Sequence, residues 1–232
     1  MQRFERPFFT KLCEQFSPEK IIENLAPFLT KERIDRIDHV LKYRIDSVEV
    51  AVESPADIHN ALAIVRTAEA MGVTGMHIIS PQMKPRKGKR TTRGTSHWTD
   101  VSYSDSLDIF GGKLEDNISL CGAVVSDAHP LGELCLDKPV CLFFGNEHSG
   151  LTDEAKKRCD QLFTIPMYGM VESLNLSVAA SIALYDVLRR KRESGTMGDF
   201  NNDNLLREKA YYFAKTLGLD QSKKILLRKE PL

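Results

Sequence analysis

Little in this chain points to a special environment. Lysine plus arginine total 32 and aspartate plus glutamate total 32. Bulk charge therefore carries no nucleic-acid signal, and any basic footprint must be local. The five cysteines (Cys13, Cys121, Cys135, Cys141 and Cys159) form no C-x-x-C pair and no zinc-ligand spacing. Cys121 and Cys141 sit inside apolar runs, so the set reads as free thiols of a reducing cytoplasm, with no metal site. No apolar stretch approaches the roughly 20 residues that a membrane span needs. Met1–Arg6 has no apolar run behind it, so no secretory signal is expected. The absence of G-x-G-x-x-G after a strand and of G-x-x-x-x-G-K-[ST] weakens Rossmann dinucleotide and P-loop readings. Tryptophan occurs once, and no internal repeat or low-complexity tract is visible.

What is present fits a globular α/β protein. At 232 residues, with 28% charged and 42% hydrophobic, the chain is long enough for one sizeable core plus an extension or two. Residues 1–45 read as a helical, charged N-terminal extension, with helix starts at Ser17-Pro18-Glu19 and Thr30-Lys31-Glu32-Arg33. Strand candidates follow at Val48–Val52, Gly75–Ile79, Leu120–Val125, Val140–Phe144 and Gln161–Ile165. Helical patterns lie between them at Pro55–Met71, Ser104–Phe110 and Thr152–Cys159, and a last one runs from Asn175 to Arg192. This alternation predicts a mostly parallel sheet with helices on both faces over residues 46–193. Residues 194–232 read as a Gly/Asn-rich hinge, a helix over Leu205–Leu217 and a basic tail.

Several segments carry possible chemistry. In Ser54–Thr67, Ser54 suits an N-cap, Pro55 the first helical position and Asp57 a capping box. Arg66 falls about 40° from Leu62 on a helical wheel, at the margin of the apolar stripe, either snorkelling over the core or held at a site. In Val140–Gly150 a continuous apolar strand stops at Gly145 and a polar loop containing Glu147 leads to a helix. Ligands of open α/β sheets bind outside such strand ends, and a glycine there lets backbone approach a ligand. In Ile165–Ser177 an apolar strand enters a Pro/Gly-broken loop, then a helix with small residues opens at Asn175, which could cap it or orient a ribose. Lys84–Arg93 holds six cations (Lys84, Arg86, Lys87, Lys89, Arg90 and Arg93) and no acid, a phosphate-backbone contact or a solvated loop. Trp98, just beyond, could stack on a base or anchor the loop. Arg189–Arg192 close the last core helix, where cations favour the dipole, and read as a solvated terminus. The tail from Asn201 carries seven Lys/Arg against four acids, adding RNA affinity or solubility.

Three of these segments, in this order, resemble the signature motifs of the SpoU/TrmH branch of the SPOUT RNA methyltransferases. They are Asn60 with Arg66-Thr67-Ala68, Gly145-Asn146-Glu147, and Gly169 to Ala180. The resemblance covers roughly residues 30–195 and implies a C-terminal trefoil knot, a homodimer through the knot region, and S-adenosyl-L-methionine as methyl donor without a metal. It implies Arg66, Asn60 and Glu147 as catalytic residues, with Arg66 taking the proton of the 2′-hydroxyl. Since a guanidinium stays protonated, the alternative is that Arg66, held by Asn60 and Glu147, binds the adjacent phosphate and stabilises the developing alkoxide. Donor binding would fall to Ala123, Gly145, Ile165, Met167, Ser173, Leu174 and Asn175. The subgroup most resembled methylates the 2′-oxygen of guanosine-18 in the tRNA D-loop. A 23S rRNA guanosine, the tRNA wobble ribose, or RNA binding without catalysis on the same scaffold are the alternatives.

Overall fold

Short β-branched and aromatic runs build a parallel sheet whose middle strands are covered on both faces. The computed structural model describes residues 6–80, 98–195 and 197–228. Its strands are β1 (Val48–Glu53), β2 (Gly75–Ile79), β3 (Asp100–Ser104), β4 (Ser119–Ala123), β5 (His129–Pro130), β6 (Val140–Phe144) and β7 (Gln161–Thr164). Among the described residues they form one sheet in the order β3-β2-β1-β6-β4-β7-β5, with every pairing parallel. Val50 of β1 lies opposite Met76 on one side and Leu142 on the other. Every residue of β1, β2 and β6 is buried, which fits the continuous apolar sequence of β6. β1 and β2 also bury Glu49, Glu53 and His77, with His77 and Glu49 paired at 2.9 Å.

Alternate residues feed two cores. Val48, Val50, Val52, Leu142 and Phe144 face helices α4 (Ile58–Ala70) and α7 (Leu176–Glu193). Ala51, Cys141, Phe143 and Leu120 face the shorter α5 (Leu107–Gly111) and α6 (Asp153–Lys157). α4 and α7 pack against each other, and Ala61 and Ala68 of α4 and Ala180 and Ala183 of α7 are all fully buried in the same core; such small side chains let two helices share one face of the sheet. The carboxylate of the buried Glu53 accepts from the Thr152 N–H at 2.9 Å and hydroxyl at 2.7 Å, fixing α6 beneath the β6 strand end.

The chain divides into two units, one spanning Ile45 to residue 195 and the other joining residues 6–44 to residues 197–228. The second unit contains α1 (Pro7–Gln15), α2 (Pro18–Leu25), α3 (Lys31–Lys42), α8 (Asn202–Leu217) and α9 (Leu219–Arg228). Thus the two terminal segments, read from sequence as separate extensions, pack together. α2 and α3 lie against α8, and α2 also lies against α9. The buried Arg44 guanidinium donates to the Tyr212 hydroxyl at 2.8 Å, and Ser17 and Thr30 cap α2 and α3 as their sequences predict.

Three features differ from the sequence reading. First, α4 begins at Ile58 with Asp57 as N-cap, accepting from the His59 N–H at 2.8 Å, and not at Ser54–Pro55. Ser54 has φ +45°, whereas an N-cap residue needs the extended backbone that Asp57 adopts. Second, β3, β5 and α9 were not anticipated: β3 offers only Val101 and Tyr103 as apolar alternation, and β5 has two residues. Third, the Arg189–Arg192 run is not simply solvated. Arg190 donates to the carbonyls of Leu134 (2.8 Å) and Leu131 (2.9 Å), and Arg192 donates to that of Met71 (2.7 Å).

Candidate functional site

The carboxyl ends of β4, β6 and β7 lie side by side, because β4 pairs with both of the others. The segments that leave these ends surround a cleft of about 640 Å³. One wall is residues 123–127, the second is the β6 loop and the third is the run from Ile165 to Leu174. Thr164 ties two walls together by donating from its hydroxyl to the Val125 carbonyl at 2.9 Å.

Gly145 is required by the loop that follows β6. The N–H of Asn146 bonds to the Gly150 carbonyl at 3.0 Å and the N–H of Gly150 to the Asn146 carbonyl at 2.9 Å, closing a tight ring. A Cβ on Gly145 would collide with the backbone of Gly150 and Leu151. Its role is therefore packing within its own loop, and not only the close approach to a ligand that the sequence suggests. The Asn146 side chain accepts from the His148 N–H at 2.9 Å and donates to the Ser54 carbonyl at 2.6 Å. This docks the loop on the turn before α4.

Glu147 lies at the amino end of α4. Its carboxylate accepts from the N–H of Ala56 (2.7 Å), the N–H of Asp57 (3.3 Å) and the Asn60 amide (2.8 Å). Burial opposes its charged form, but the bonds from Asn60 and from the Ala56 and Asp57 amides outweigh it, and the carboxyl is held below the ordinary glutamate range. Asn60 in turn accepts from the Asn175 amide at 3.2 Å. Asn175 caps α7, its side-chain oxygen accepting from the N–H of Ser177 at 2.9 Å and of Val178 at 3.4 Å. One relay, Glu147–Asn60–Asn175, thus joins the three motif segments at one end of the cleft.

Of the residues singled out from sequence, Ala123, Gly145, Glu147, Ile165, Met167, Ser173 and Leu174 line the cleft. Asn60 and Asn175 join it through the relay. Arg66 does not line it: it lies with His59, Ala63 and Ala70 on the exposed stripe of α4. Among the described residues Asn60 bonds to Glu147 and to Asn175, and neither Asn60 nor Glu147 bonds to Arg66, so the expected hold on the arginine is not made within this chain. Lys84, Arg86, Lys87, Lys89, Arg90 and Arg93 lie outside the described residues, and Trp98 is half-buried. Leu162, Thr164 and Asn146 also line the cleft. The strand-end rule that picked Gly145 applies equally to Thr164, the last residue of β7. Among the described residues no group of three or more His, Cys, Asp or Glu side chains is placed to hold a metal ion.

An open parallel sheet with a cleft at its strand ends defines an α/β protein that holds a small molecule beside the sheet. More particularly, the chain belongs to the SpoU rRNA Methylase family, which it matches over residues 47–185. It is 33% identical over 165 residues to tRNA (guanosine(18)-2'-O)-methyltransferase of Escherichia coli K12, covering 70% of this chain and 72% of that one. A protein of the same name from Thermus thermophilus is 33% identical over 168 residues, covering 72% and 87%. Among solved structures, the A. aeolicus TrmH/SpoU tRNA modifying enzyme superposes with a TM-score of 0.69 at 28% identity, covering 78% of this chain and 96% of that one. The SpoU methyltransferase AviRb from Streptomyces viridochromogenes, in complex with the cofactor AdoMet, gives 0.59 at 26% identity, covering 69% and 65%.

Proposed function

We propose that this protein transfers a methyl group from S-adenosylmethionine to an RNA ribose 2′-oxygen, with guanosine-18 of the tRNA D-loop as its target. The observation that carries this reading is a cleft walled by the second and third motif segments and residues 123–127, with the first motif segment tied to its end by the Glu147–Asn60–Asn175 relay. The guanosine-18 enzymes among the relatives support the choice of target.

The residues present fit the donor. The cleft volume lies within the roughly 300–1,000 Å³ usual for small-molecule sites. Ile165, Leu174 and Ala123 offer apolar flanks for a purine, while Ser173 and the strand-end backbone offer polar groups. When bound, the donor supplies the methyl group. Arg66 stays protonated, as guanidinium groups in proteins do. It binds the phosphate beside the target ribose and meets the charge that develops on the 2′-oxygen. Glu147 and Asn60 keep the mouths of α4 and α7 in register. The Lys84–Arg93 cations and Trp98 serve the RNA backbone and bases.

A second copy of the chain completes the site in this reading. Val178, Ile182 and Tyr185 form a stripe on α7 that is 45%, 39% and 64% exposed. Together with Ala63 and Thr67 of α4 they line a groove of about 700 Å³. Exposed apolar surface of this kind suits an isologous contact. Arg66 borders that groove on the α4 stripe and does not line the cleft of its own chain, which suits action across a homodimer. The return of the chain from β7 to α7, over β6 and against α4, beneath the 131–138 segment, supports reading this region as the trefoil knot. The reading makes it a cytoplasmic enzyme; no described helix is long and apolar enough to cross a membrane.

The deciding experiment incubates the protein with labelled S-adenosylmethionine and separate tRNA and rRNA transcripts, then maps alkali-resistant ribose positions. Label at the D-loop guanosine is the expected result. Label in rRNA or at the wobble position would overturn the target, and RNA binding without label would overturn the reaction.

A further inference from the structure

The terminal cations of α7 do more than answer its dipole. Each guanidinium nitrogen of Arg190 donates a hydrogen bond: Nε to Asp186 at 2.8 Å, Nη1 to the Leu134 carbonyl at 2.8 Å and Nη2 to the Leu131 carbonyl at 2.9 Å. Its side chain is 21% exposed. Lys191 reaches the carbonyls of Leu136 and Lys138 at 3.3 and 3.4 Å. The receiving segment, residues 131–138, has one 3-10 turn at Leu131–Glu133 and no other regular structure before β6. Its Leu134 carbonyl is met by Arg190, while the Leu131 carbonyl is shared between Arg190 and the Leu134 N–H at 3.1 Å. The same segment follows the 123–127 wall of the cleft by way of β5. This stretch is also tied by the β5–β7 pairing, the Cys135 N–H to the Gln161 side chain at 2.9 Å, the Val124 N–H to the Phe163 carbonyl at 2.9 Å and the Thr164–Val125 bond. Leu131 and Leu134 are 5% and 3% exposed in the core beside Leu184, Val187 and Leu188 of α7.

We infer that Arg190 is a positioning residue for the methyl-donor cleft. By clasping Leu131 and Leu134 just beyond the β5–β7 pairing it braces the segment that continues the wall beginning at Ala123, so the end of α7 helps to set the cleft's width. The planar guanidinium suits the task, since one rigid fork meets two carbonyls while Nε is braced by Asp186; a lysine ammonium lacks both the fixed fork and the Nε donor. Arg189 serves as the internal control, because its partners are Asp186 and Glu193 and not the wall segment.

This inference rests on the cleft being the donor site. The test measures S-adenosylmethionine binding by titration calorimetry, well below the unfolding temperature, for the wild type and for Arg190→Lys, Arg190→Gln and Arg189→Gln. Hydrogen exchange of residues 131–136 is followed in parallel. A wild type that binds no donor overturns the donor reading itself. With a binding wild type, we expect roughly tenfold weaker affinity for Arg190→Gln, an intermediate loss for Arg190→Lys, and none for Arg189→Gln. The expected kinetic signature is a raised donor KM with kcat held within about threefold. Faster exchange at residues 131–136 should accompany the loss in the Arg190 variants. Folded Arg190 variants that bind donor like the wild type, or that exchange like it, overturn the clasp. An equal loss in Arg189→Gln would reduce it to general helix stability and overturn it as well.

Discussion

Asn60 and Glu147, 87 positions apart in sequence, are joined by one hydrogen bond of 2.8 Å between an amide and a carboxylate. Removing the amide leaves the carboxylate with its two backbone donors and takes from Asn175 the acceptor of its side-chain N–H. Asn60→Ala should lower stability by about 1–3 kcal/mol, read by urea unfolding. Asn60→Asp sets a second carboxylate against the first and should be the worse variant at pH 7. Acid should then narrow the gap, because one shared proton relieves the repulsion. In the wild type Glu147 titrates below its ordinary value of 4.5, so its contribution is full above that value and is lost as pH falls through the lower folded-state value. An Asn60→Asp protein as stable as Asn60→Ala across the pH range would contradict this account.

Gly145→Ala tests the ring after β6. The added Cβ runs into backbone at Gly150 and Leu151, which cannot swing aside as a side chain would. A destabilisation of about 1–3 kcal/mol is expected, together with loss of donor affinity because the ring is a wall of the cleft. Gly132→Ala, with open space at its Cβ, should be close to neutral in both thermal melts and donor titration.

Arg66 offers a sharper test through mixing. Arg66→Ala should lower turnover by about a hundredfold or more while leaving donor affinity unchanged. Ser173→Trp should block the cleft. Co-refolding equal amounts of these two inactive proteins should restore about a quarter of the wild-type sites if the arginine acts across a homodimer, since half the dimers are mixed and each has one intact pairing. No recovery would place the arginine in its own chain's site.

Thiol chemistry reports on the β4–β7 region. Burial pushes the Cys121 thiol up to about 11 and the Cys159 thiol up to about 12, while Cys135 is exposed. At pH 8 an aromatic disulfide reagent should label Cys135 promptly, and Cys121 and Cys159 only as the protein unfolds. Prompt labelling of Cys121 would mean that the sheet opens more readily than its packing suggests.

The layered sheet was legible because β1, β2 and β6 are covered on both faces and so are rich in Val, Ile and Phe, with β6 a continuous apolar run. β3 and β5 were not, because an edge strand with two apolar residues and a two-residue strand leave too little pattern to read. The strand-end glycine and the small-sided helix pointed to the cleft, since close packing demands those residue types. The Glu147–Asn60–Asn175 relay was only partly visible: its members stood in three separate motifs, and no local pattern says which polar side chains will meet. The Arg190 clasp was hidden for the same reason, as a cation at a helix end looks alike whether it faces water or a carbonyl 59 positions away.

The amides leading into α4, those of Ala56 and the cap residue Asp57, are already answered by Glu147, and that of His59 by Asp57, carboxylates supplied by the chain itself. Helix openings often serve as docks for sulfate or phosphate, but this dock carries its own permanent tenant. A polyanion arriving here meets negative charge where many nucleotide-handling proteins present a welcome. Its grip must come from cations on other surfaces, which leaves this corner free to keep two helices in step.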